Sequence, residues 1–374
     1  MKTSIKLLHC ADIHLDSPFA SCDAETASRR RGELRGTFLS LLSYARQKEI
    51  DLVLIAGDLF DRPYITPELT DMLRREFAAM PKCRFVISPG NHDPYTADSP
   101  YARVDFSENV LIFRDFSLDC FHLDDLGVDI YGYAFTQPNH DYSPLKGFRV
   151  ENPDRLNLLC AHGDLLSGAS QSCPLKPEEF SAAGFDYAAL GHIHNTDGIH
   201  RINDTLYGYS GCPEGRDFGE CGYKGAIFAT LTKEDGRLSS DVHGLRFSRR
   251  RYEIADIDLT GVTTADEAYD RIISSVKKTY GSDTSLRIVL SGSVGMNVSL
   301  NEAYLREKLS TLLYTLEVQN LTVPLFDYEL LQNDPTIRGE FFRRLLPDLQ
   351  SEDAQKRRTA SLALRYGLAA LGKG

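Results

Sequence analysis

The decapeptide IKLLHCADIH, residues 5–14, places an apolar run in front of Asp12 and His14, two residues that bind metal ions well. Four further segments repeat this arrangement: DLVLIA (51–56) before Asp58, RFVIS (84–88) before Asn91, His92 and Asp93, LNLLCA (156–161) before His162, and YAAL (187–190) before His192 and His194. Five of the ten histidines in the chain lie at these places. A random scatter would put most of them elsewhere, so the order favours one shared site.

The five apolar runs have the length and composition of short buried β-strands. In an open α/β sheet, ligands gather beyond the carboxyl ends of the strands. Residues two positions apart in an extended strand point to the same side, so Asp12 with His14, and His192 with His194, each offer two ligands to one place. The sequence therefore predicts an α/β fold whose strand ends converge on a metal site.

The predicted ligands suit a pair of divalent cations. Two such ions, about 3.5 to 4 Å apart, clamp phosphate oxygens and lower the pKa of a bridging water. Asp58 is predicted to bridge the ions, because a carboxylate has two oxygens. The remaining ligands are Asp12, His14 and His194 for one ion, and Asn91, His162 and His192 for the other. This mixed nitrogen and oxygen set suits Mn, Fe, Zn, Co or Ni. One short motif alone is a weak signal, whereas the ordered set of five is strong.

His92 falls outside that ligand count and is predicted to act on the substrate. It would donate to phosphoryl oxygens or supply a proton to the leaving oxygen. Asp93 is predicted to orient the His92 ring and to support its charged form. Taken alone, Asn-His-Asp after Gly90 is also ordinary turn chemistry. The other five histidines are predicted to lie in the core or on the surface: His9, His122, His140, His200 and His243.

The chain of 374 residues is long enough for a main domain and a smaller one. The pattern predicts a catalytic α/β domain over residues 1–251, where turn-rich segments beyond His194 lead into a second sheet. A small α/β capping domain is predicted over residues 252–325. Residues 326–374 are predicted to form a helical tail, broken at Pro347, that either docks on a partner or folds back on its own domain.

Four helices are predicted before the tail, at residues 29–48, 67–79, 264–280 and 301–316, the first of them from apolar residues at helical spacing. Pro67 at a helix start and Glu68 in the first turn suit the second of these. Ser299 or Asn301 is predicted to cap the fourth helix.

The net charge of −11 argues against a protein whose whole surface binds nucleic acid. Two basic clusters, Arg29 to Arg31 with Arg35 and Arg249 to Arg251, either contact DNA phosphates or are solvated faces. The sequence has no apolar run near the roughly 18 residues that a membrane span needs. We expect no signal peptide, a cytoplasmic location and no membrane partner.

The eight cysteines are scattered without a C-x-x-C pair, so reduced thiols are expected. Cys10 and Cys160 lie next to predicted ligands and are interpreted as small buried hydrophobic residues.

The motifs DIH, GDLFD, GNHD, AHGD and GHIH, in this order, resemble the five signature motifs of the calcineurin-like metallophosphoesterase superfamily. More narrowly, HCADIHLDSPF, IAGDLFDRP, SPGNHDP, ALGHIH and YSGCPEGRDFGE are similar to the bacterial YhaO and SbcD group of DNA-repair exonucleases. The superfamily resemblance covers about the first two thirds of the chain.

The resemblance implies a two-sheet α/β sandwich flanked by helices, followed by a small capping domain and a helical tail. It places the family's metal ligands on the same seven residues predicted above and its catalytic histidine on His92. It further implies two divalent ions, with manganese first and Fe, Zn, Co, Ni or Mg as alternatives. DNA, an SMC-like ATPase subunit and a second copy of the chain are the partners that it implies. Asp16 and Phe19 lie in the family-like HLDSPF stretch, where we expect a loop that supports the first ligands or borders the substrate groove. Together with Arg216, in the family-like segment YSGCPEGRDFGE, they are the expected substrate contacts.

Two other functions stay open on the sequence alone. The same ligand set serves phosphodiesterases and phosphatases that act on nucleotides or other small phosphoesters. In a non-catalytic scaffold, metal ions would only hold the strand ends together while the tail recruits a partner. The intact pair of His92 and Asp93 argues against the scaffold.

Overall fold

The structure of the chain is a computed structural model that describes residues 2–20, 22–62, 65–165, 170–196, 198–295, 298–325 and 328–371. Contacts within the chain divide it into two compact units, residues 1–251 and 252–374. Each unit contains its own hydrophobic core. Each is therefore described by itself.

The first unit is built around two six-stranded sheets. Its elements in chain order are β1 (Lys2–Cys10), α1 (Ala24–Gln47), β2 (Leu52–Ile55), α2 (Pro67–Ala78), β3 (Arg84–Ile87), α3 (Pro100–Arg103), β4 (Val110–Ile112), β5 (Asp119–Leu123), β6 (Val128–Gly132), β7 (Leu156–His162), α4 (Pro177–Ala183), β8 (Tyr187–Gly191), β9 (His200–Ile202), β10 (Thr205–Tyr209), β11 (Gly225–Glu234) and β12 (Arg237–Arg246). The strand orders are β12-β11-β1-β2-β3-β4 and β5-β6-β7-β8-β10-β9. In the first sheet, β1, β2, β3 and β4 pair with their neighbours in parallel, and in the second sheet β6, β7, β8 and β10 do the same.

The core follows from the alternation of side chains along each strand. Leu7 of β1 packs between the sheets with Leu158 of β7. Its neighbour Leu8 faces the other way and packs with Phe38 of α1 and Phe77 of α2. The result is a two-sheet α/β sandwich with helices outside it, which confirms the predicted fold class.

The first two helices occur where periodicity predicts them, and their caps fix the starts. The side chain of Asp23 accepts a hydrogen bond from the Thr26 amide at 2.9 Å, so α1 begins at Ala24 rather than near residue 29. Thr66 caps α2, which starts at Pro67 as predicted.

Arginines of the two predicted basic clusters hold α1 against the segment after β12. Arg30 is only 2% exposed, and both Arg30 and Arg250 donate to Glu33. The Glu214 carboxylate accepts from the backbone amides of Arg249 and Arg250. These contacts give part of each cluster a structural role.

The second unit is a smaller α/β structure followed by helices. Its elements in chain order are β13 (Arg251–Asp258), α5 (Ala265–Thr279), β14 (Thr284–Ser291), β15 (Ser293–Val294), α6 (Glu302–Leu309), β16 (Thr315–Asn320), β17 (Val323–Pro324), α7 (Tyr328–Asn333), α8 (Ile337–Leu349) and α9 (Ala354–Leu371). A three-stranded sheet has the order β13-β14-β16, and β15 pairs with β17.

Helix α6 is shorter than the predicted helix 301–316. Asn301 caps it, as one of the two predicted alternatives, but the helix ends at Leu309. Leu316 lies in β16 opposite Leu286 of β14. Pairing with a buried strand therefore overrides the helical periodicity of this segment.

The predicted break at Pro347 is also wrong. Proline removes one amide donor, yet α8 continues two residues beyond it, and the chain reverses over residues 350–353. Phe342 of α8 packs with Leu364 and Leu368 of α9, and Arg365 donates to the Thr322 carbonyl at 3.0 Å. Of the two alternatives for the tail, these contacts favour folding back, while the boundary at residue 326 stays a prediction. Among the described residues, no helix combines the length and the apolar character that crossing a bilayer requires.

Candidate metal centre

The predicted ligands meet where the carboxyl ends of the two sheets touch. The backbone amide of His192, which follows β8, donates to both carboxylate oxygens of Asp12 beyond β1, at 3.0 and 3.1 Å. The His162 Nδ1 donates to the Ala56 carbonyl at 3.0 Å. These bonds cross between the sheets, so sheet packing itself assembles the cluster.

Asp58 lies at the middle of this cluster. Its Oδ2 is 3.6 Å from His14 Nε2 and 3.6 Å from His162 Nε2. These two rings belong to the two different predicted ligand sets. A carboxylate with this placement is suited to bridging two ions.

Within each of the two predicted ligand sets, the ligand atoms lie close to one another. On one side, His14 Nε2 lies 3.3 Å from His194 Nε2, which is 3.9 Å from Asp12 Oδ1. On the other side, Asn91 Oδ1 lies 2.9 Å from His162 Nε2 and 3.3 Å from His192 Nδ1. The structure thus brings all seven predicted ligands together, and their binding of metal stays a prediction.

The donor set fits a pair of cations. The Ala56 carbonyl accepts a hydrogen bond from Nδ1 of His162, and the Glu220 carboxylate accepts one from Nδ1 of His194 at 2.6 Å. A proton held on Nδ1 leaves a lone pair on Nε2, the nitrogen that faces the cluster. The two facing Nε2 atoms of His14 and His194 have the arrangement that a cation between them requires.

Burial sets the charge states of the ligands. It lowers the pKa of His162 to about 4 and also lowers the pKa of His14. Burial raises the pKa of Asp12, and the charge of Asp58 adds to this effect. Burial also opposes ionisation of Asp58, but the rings of His162 and His14 outweigh it and hold the pKa of Asp58 below its usual value. Burial thus favours at His14 and His162 the neutral imidazole that divalent metals bind. At His194 burial acts in the same direction, but the hydrogen bond to Glu220 outweighs it and raises the pKa of this ring.

Four ligand residues have left-handed backbone, a region that non-glycine residues rarely occupy. The φ angles are 52° at Asp12, 49° at His14, 50° at Asp58 and 110° at His192. Such outliers cost about 1–3 kcal/mol each and cluster at functional sites.

Glycines beside the ligands leave space for them. A Cβ at Gly57 would lie 2.1 Å from His162 Nδ1, and one at Gly90 would lie 2.2 Å from Asp58 Oδ1. At Gly191 a Cβ would lie 1.7 Å from the Ala56 carbonyl oxygen of the opposite sheet. The close approach of the two sheets therefore depends on glycine.

His92 lies at the exposed side of the buried cluster. Its backbone amide donates to Asp58 Oδ1 at 3.0 Å, and its ring stands edge-on to His14 with centroids 4.8 Å apart. An exposed imidazole next to the ligands can reach a phosphoester that approaches from solvent.

The predicted contact between Asp93 and His92 is not among the hydrogen bonds that the structure describes. Asp93 is fully buried and accepts from the amides of Phe60 and Gly90 and from the Tyr101 hydroxyl. Burial raises the pKa of Asp93 well above its usual value. Its side chain points into the fold, so Asp93 fixes the loop that carries His92 rather than the His92 ring.

Asp61 is the carboxylate close to His92. Ligand atoms of Asp61, His92 and His14 lie within 4.8 Å of one another. Sequence reasoning missed Asp61, although it lies inside the quoted motif GDLFD, three residues after Asp58.

Two of the expected substrate contacts, Asp16 and Phe19, have partners within the fold. Phe19 is 8% exposed and packs in the core, with the Arg30 guanidinium 5.4 Å from its ring centre. Asp16 forms an ion pair with Arg35 and accepts from the Thr66 amide at 3.3 Å. These contacts favour the alternative in which the loop after β1 supports the first ligands, and substrate contact by Asp16 and Phe19 stays a prediction.

Arg216, the third expected substrate contact, lies behind the ligand His194. It donates to Asp61 Oδ1 at 3.1 Å and to Glu220 Oε1 at 3.0 Å. Its side chain is 16% exposed. Sequence reasoning also missed Glu220. Its place in the family-like segment RDFGE is the signal that could have found it.

Removing divalent metal is expected to destabilise the chain, because ions that bind only the folded state stabilise it. One ion at 100 times its dissociation constant adds about 2.7 kcal/mol. For a unit of this size that corresponds to roughly 5–10 °C in melting temperature. Thermal unfolding with manganese and with excess EDTA at matched ionic strength measures the difference, and equal melting temperatures would contradict a structural contribution of bound metal.

The chain is similar in sequence to known phosphoesterases. The family model for calcineurin-like phosphoesterases matches residues 5–196, a range that contains all seven predicted ligands. The uncharacterized metallophosphoesterase YhaO of Bacillus subtilis strain 168 is 27% identical over 308 residues, which cover 78% of this chain and 73% of that protein. The DNA double-strand break repair protein Mre11 of Methanopyrus kandleri is 22% identical over 230 residues, or 56% of this chain and 49% of that protein. Among solved structures, TT1561 of Thermus thermophilus aligns with a TM-score of 0.38 and 9% identity, over 64% of this chain and 99% of that one.

Proposed function

The chain belongs to the calcineurin-like phosphoesterase family, and from this premise we propose that it is a DNA-repair nuclease that hydrolyses phosphodiester bonds. Membership implies the coarser activity, hydrolysis of phosphoesters. The observation that carries the proposal is the cluster of nitrogen and oxygen ligands centred on Asp58, with His92 at its exposed side. Similarity to a relative named as a DNA break repair protein supports DNA as the substrate.

In this proposal, the seven clustered residues hold two divalent ions, manganese first. Bound ions of this kind supply a hydroxide nucleophile near neutral pH and neutralise the charge of the phosphate. Asp58 bridges the two ligand sets. Asp12, His14 and His194 form one set, and Asn91, His162 and His192 form the other.

His92 contacts the phosphoryl oxygens or protonates the leaving oxygen. A phosphodiester carries negative charge and has a poor leaving group, so an imidazole donor at the exposed side lowers the barrier. Burial of Asp93 and its three hydrogen bonds keep the loop in place, which positions His92 over the ligands.

The proposed partners follow from the group that the sequence resembles. An SMC-like ATPase subunit would supply most of the phosphate contacts, since this chain has a net charge of −11. A second copy of the chain would complete the assembly. The proposed location is the cytoplasm, a reducing compartment that suits eight cysteines scattered without a C-x-x-C pair.

The test is cleavage of end-labelled double- and single-stranded DNA by the full chain with manganese. We expect His92→Ala to lower kcat by about 10²–10⁴-fold, the usual contribution of a general acid or base. Metal content and melting temperature should stay near wild type, because the side chain is exposed and the bond from the His92 amide to Asp58 remains.

His243→Ala is the matched control, since its side chain is 49% exposed and lies on β12. Wild-type turnover in His92→Ala would remove the role assigned to this residue. Manganese-dependent cleavage of bis-p-nitrophenyl phosphate without cleavage of DNA would favour the second candidate, a phosphodiesterase or phosphatase for nucleotides and other small phosphoesters. The acidic net charge and the structural use of Arg30 and Arg250 favour that candidate. If the chain binds metal but cleaves neither substrate, the non-catalytic scaffold is the remaining hypothesis.

A further inference from the structure

The two predicted ligand sets differ in what stands behind their histidines. Behind His194 stands the carboxylate of Glu220, bonded to Nδ1 at 2.6 Å. Behind His14 stands the carboxylate of Asp61, whose Oδ1 is 3.2 Å from Nδ1. A carboxylate behind a metal-bound imidazole fixes its orientation and raises its basicity.

Arg216 joins these two carboxylates into one unit. Its guanidinium donates to Asp61 Oδ1 at 3.1 Å through Nη1 and to Glu220 Oε1 at 3.0 Å through Nη2. Its own backbone amide donates to the other Glu220 oxygen at 2.6 Å. Glu220 and Asp61 are 6% and 13% exposed, so solvent screens this network little.

The histidines of the other ligand set, His162 and His192, have different partners at Nδ1. The Nδ1 of His162 is held by a neutral carbonyl, that of Ala56. The Nδ1 of His192 faces the cluster itself, 3.3 Å from Asn91 Oδ1. Asn91 is a neutral ligand, and Asp164 adds one negative charge near His192.

The charges around the two sets therefore differ, apart from the shared Asp58. Asp12, Asp61 and Glu220 contribute three carboxylates to the first set, against one guanidinium from Arg216. In the part of the chain that the structure describes, the second set has one carboxylate, Asp164, near its ligands. A divalent cation is attracted more strongly to the first set, where it meets His194, whose orientation Glu220 fixes through Nδ1, and His14, whose Nδ1 lies 3.2 Å from Asp61 Oδ1.

We infer that Arg216, Asp61 and Glu220 are positioning residues for the ion held by Asp12, His14 and His194, and that this ion binds first and leaves last. The second ion, held by Asn91, His162 and His192, is the exchangeable one. The inference rests on the proposed function in one respect only, the two-ion site, and it is independent of the substrate.

The test is a calorimetric titration of the metal-free full chain with manganese alone. The wild type should bind two ions in two steps of different affinity. Glu220→Gln keeps the size of the side chain and removes its charge, so the tighter step should weaken by about 10–100-fold while the weaker step stays near its wild-type affinity. Asn91→Ala should lose the weaker step and keep the tighter one.

Glu33→Gln is the matched control. Glu33 is 12% exposed and paired with Arg30 and Arg250, so the substitution removes a similar Arg-bound carboxylate away from the ligands. Unchanged affinity in this control separates positioning from a general loss of folding, which thermal unfolding of each variant also measures. Equal affinities for both ions, a wild-type tighter step in Glu220→Gln, equal weakening in Glu33→Gln, or loss of the tighter step in Asn91→Ala would overturn the inference. Two-step binding by a chain that does not cleave DNA would overturn the proposed substrate and leave this inference intact.

Discussion

Replacing Asp58 with asparagine is expected to lower the rate of phosphodiester hydrolysis by about 10³-fold or more, since metal-based charge stabilisation contributes several kcal/mol to catalysis. The Oδ2 atom lies at equal distances from a ring in each ligand set, 3.6 Å from His14 and from His162. The asparagine side chain would place either an N–H group or a neutral oxygen at the position of Oδ2. In the proposed two-ion site Asp58 is the shared anionic ligand, so we also expect less than two manganese ions per chain in Asp58→Asn.

Turnover with manganese and metal content by mass spectrometry measure the two effects together. Asp186→Asn serves as the control, because Asp186 is a buried carboxylate paired with Lys233 at the amino end of β8, opposite the ligands. Its loss should lower stability and keep the metal content. Normal metal content and turnover in Asp58→Asn would show that Asp58 does not bridge the ions.

Replacing Gly191 with alanine is expected to destabilise the first unit by about 3 kcal/mol or more, the upper range for forcing extra volume into a packed interior. The new Cβ would lie 1.7 Å from the Ala56 carbonyl oxygen and 2.8 Å from the Ala11 Cβ. The contact involves backbone, so relief requires the two sheets to separate at their carboxyl ends. That movement would also displace Asp12 and His192, which are hydrogen-bonded across the same gap.

Thermal unfolding should show a decrease of roughly 6–12 °C in melting temperature. Gly244→Ala is the comparison variant, because a Cβ at this exposed residue of β12 meets nothing within 4 Å. Its stability should stay within about 0.5 kcal/mol of wild type. If the two variants unfold at the same temperature, the close approach of the sheets at Gly191 is less restrictive than the structure indicates.

The ligand cluster is well encoded in the sequence because residue type and strand periodicity both report on it. Asp12 and His162 follow apolar runs, and parallel pairing brings such strand ends to one edge. The fold class follows for the same reason. Helix α6 shows where this reasoning fails: Leu316 continues a helical pattern, yet a strand partner distant in sequence takes it into β16.

The supporting residues could not be predicted because side-chain direction depends on backbone conformation. Asp93 is adjacent to His92 in sequence but turns into the core, and Asp61 reaches the space next to His92. The left-handed conformation of Asp58 changes the direction of the chain just before Asp61, and composition does not report it. Arg216 is similar: its motif suggested contact with substrate, whereas its partners Asp61 and Glu220 are visible only in three dimensions.

The left-handed backbone at Asp12, His14, Asp58 and His192 sets a limit on how this chain can evolve. Selection for foldability alone would favour glycine at these positions, because glycine adopts such angles without steric cost. The proposed metal binding requires carboxylates and imidazoles there instead. Under that proposal these four positions exchange stability for activity, and substitutions toward glycine would remove the proposed function before they disturbed the sandwich.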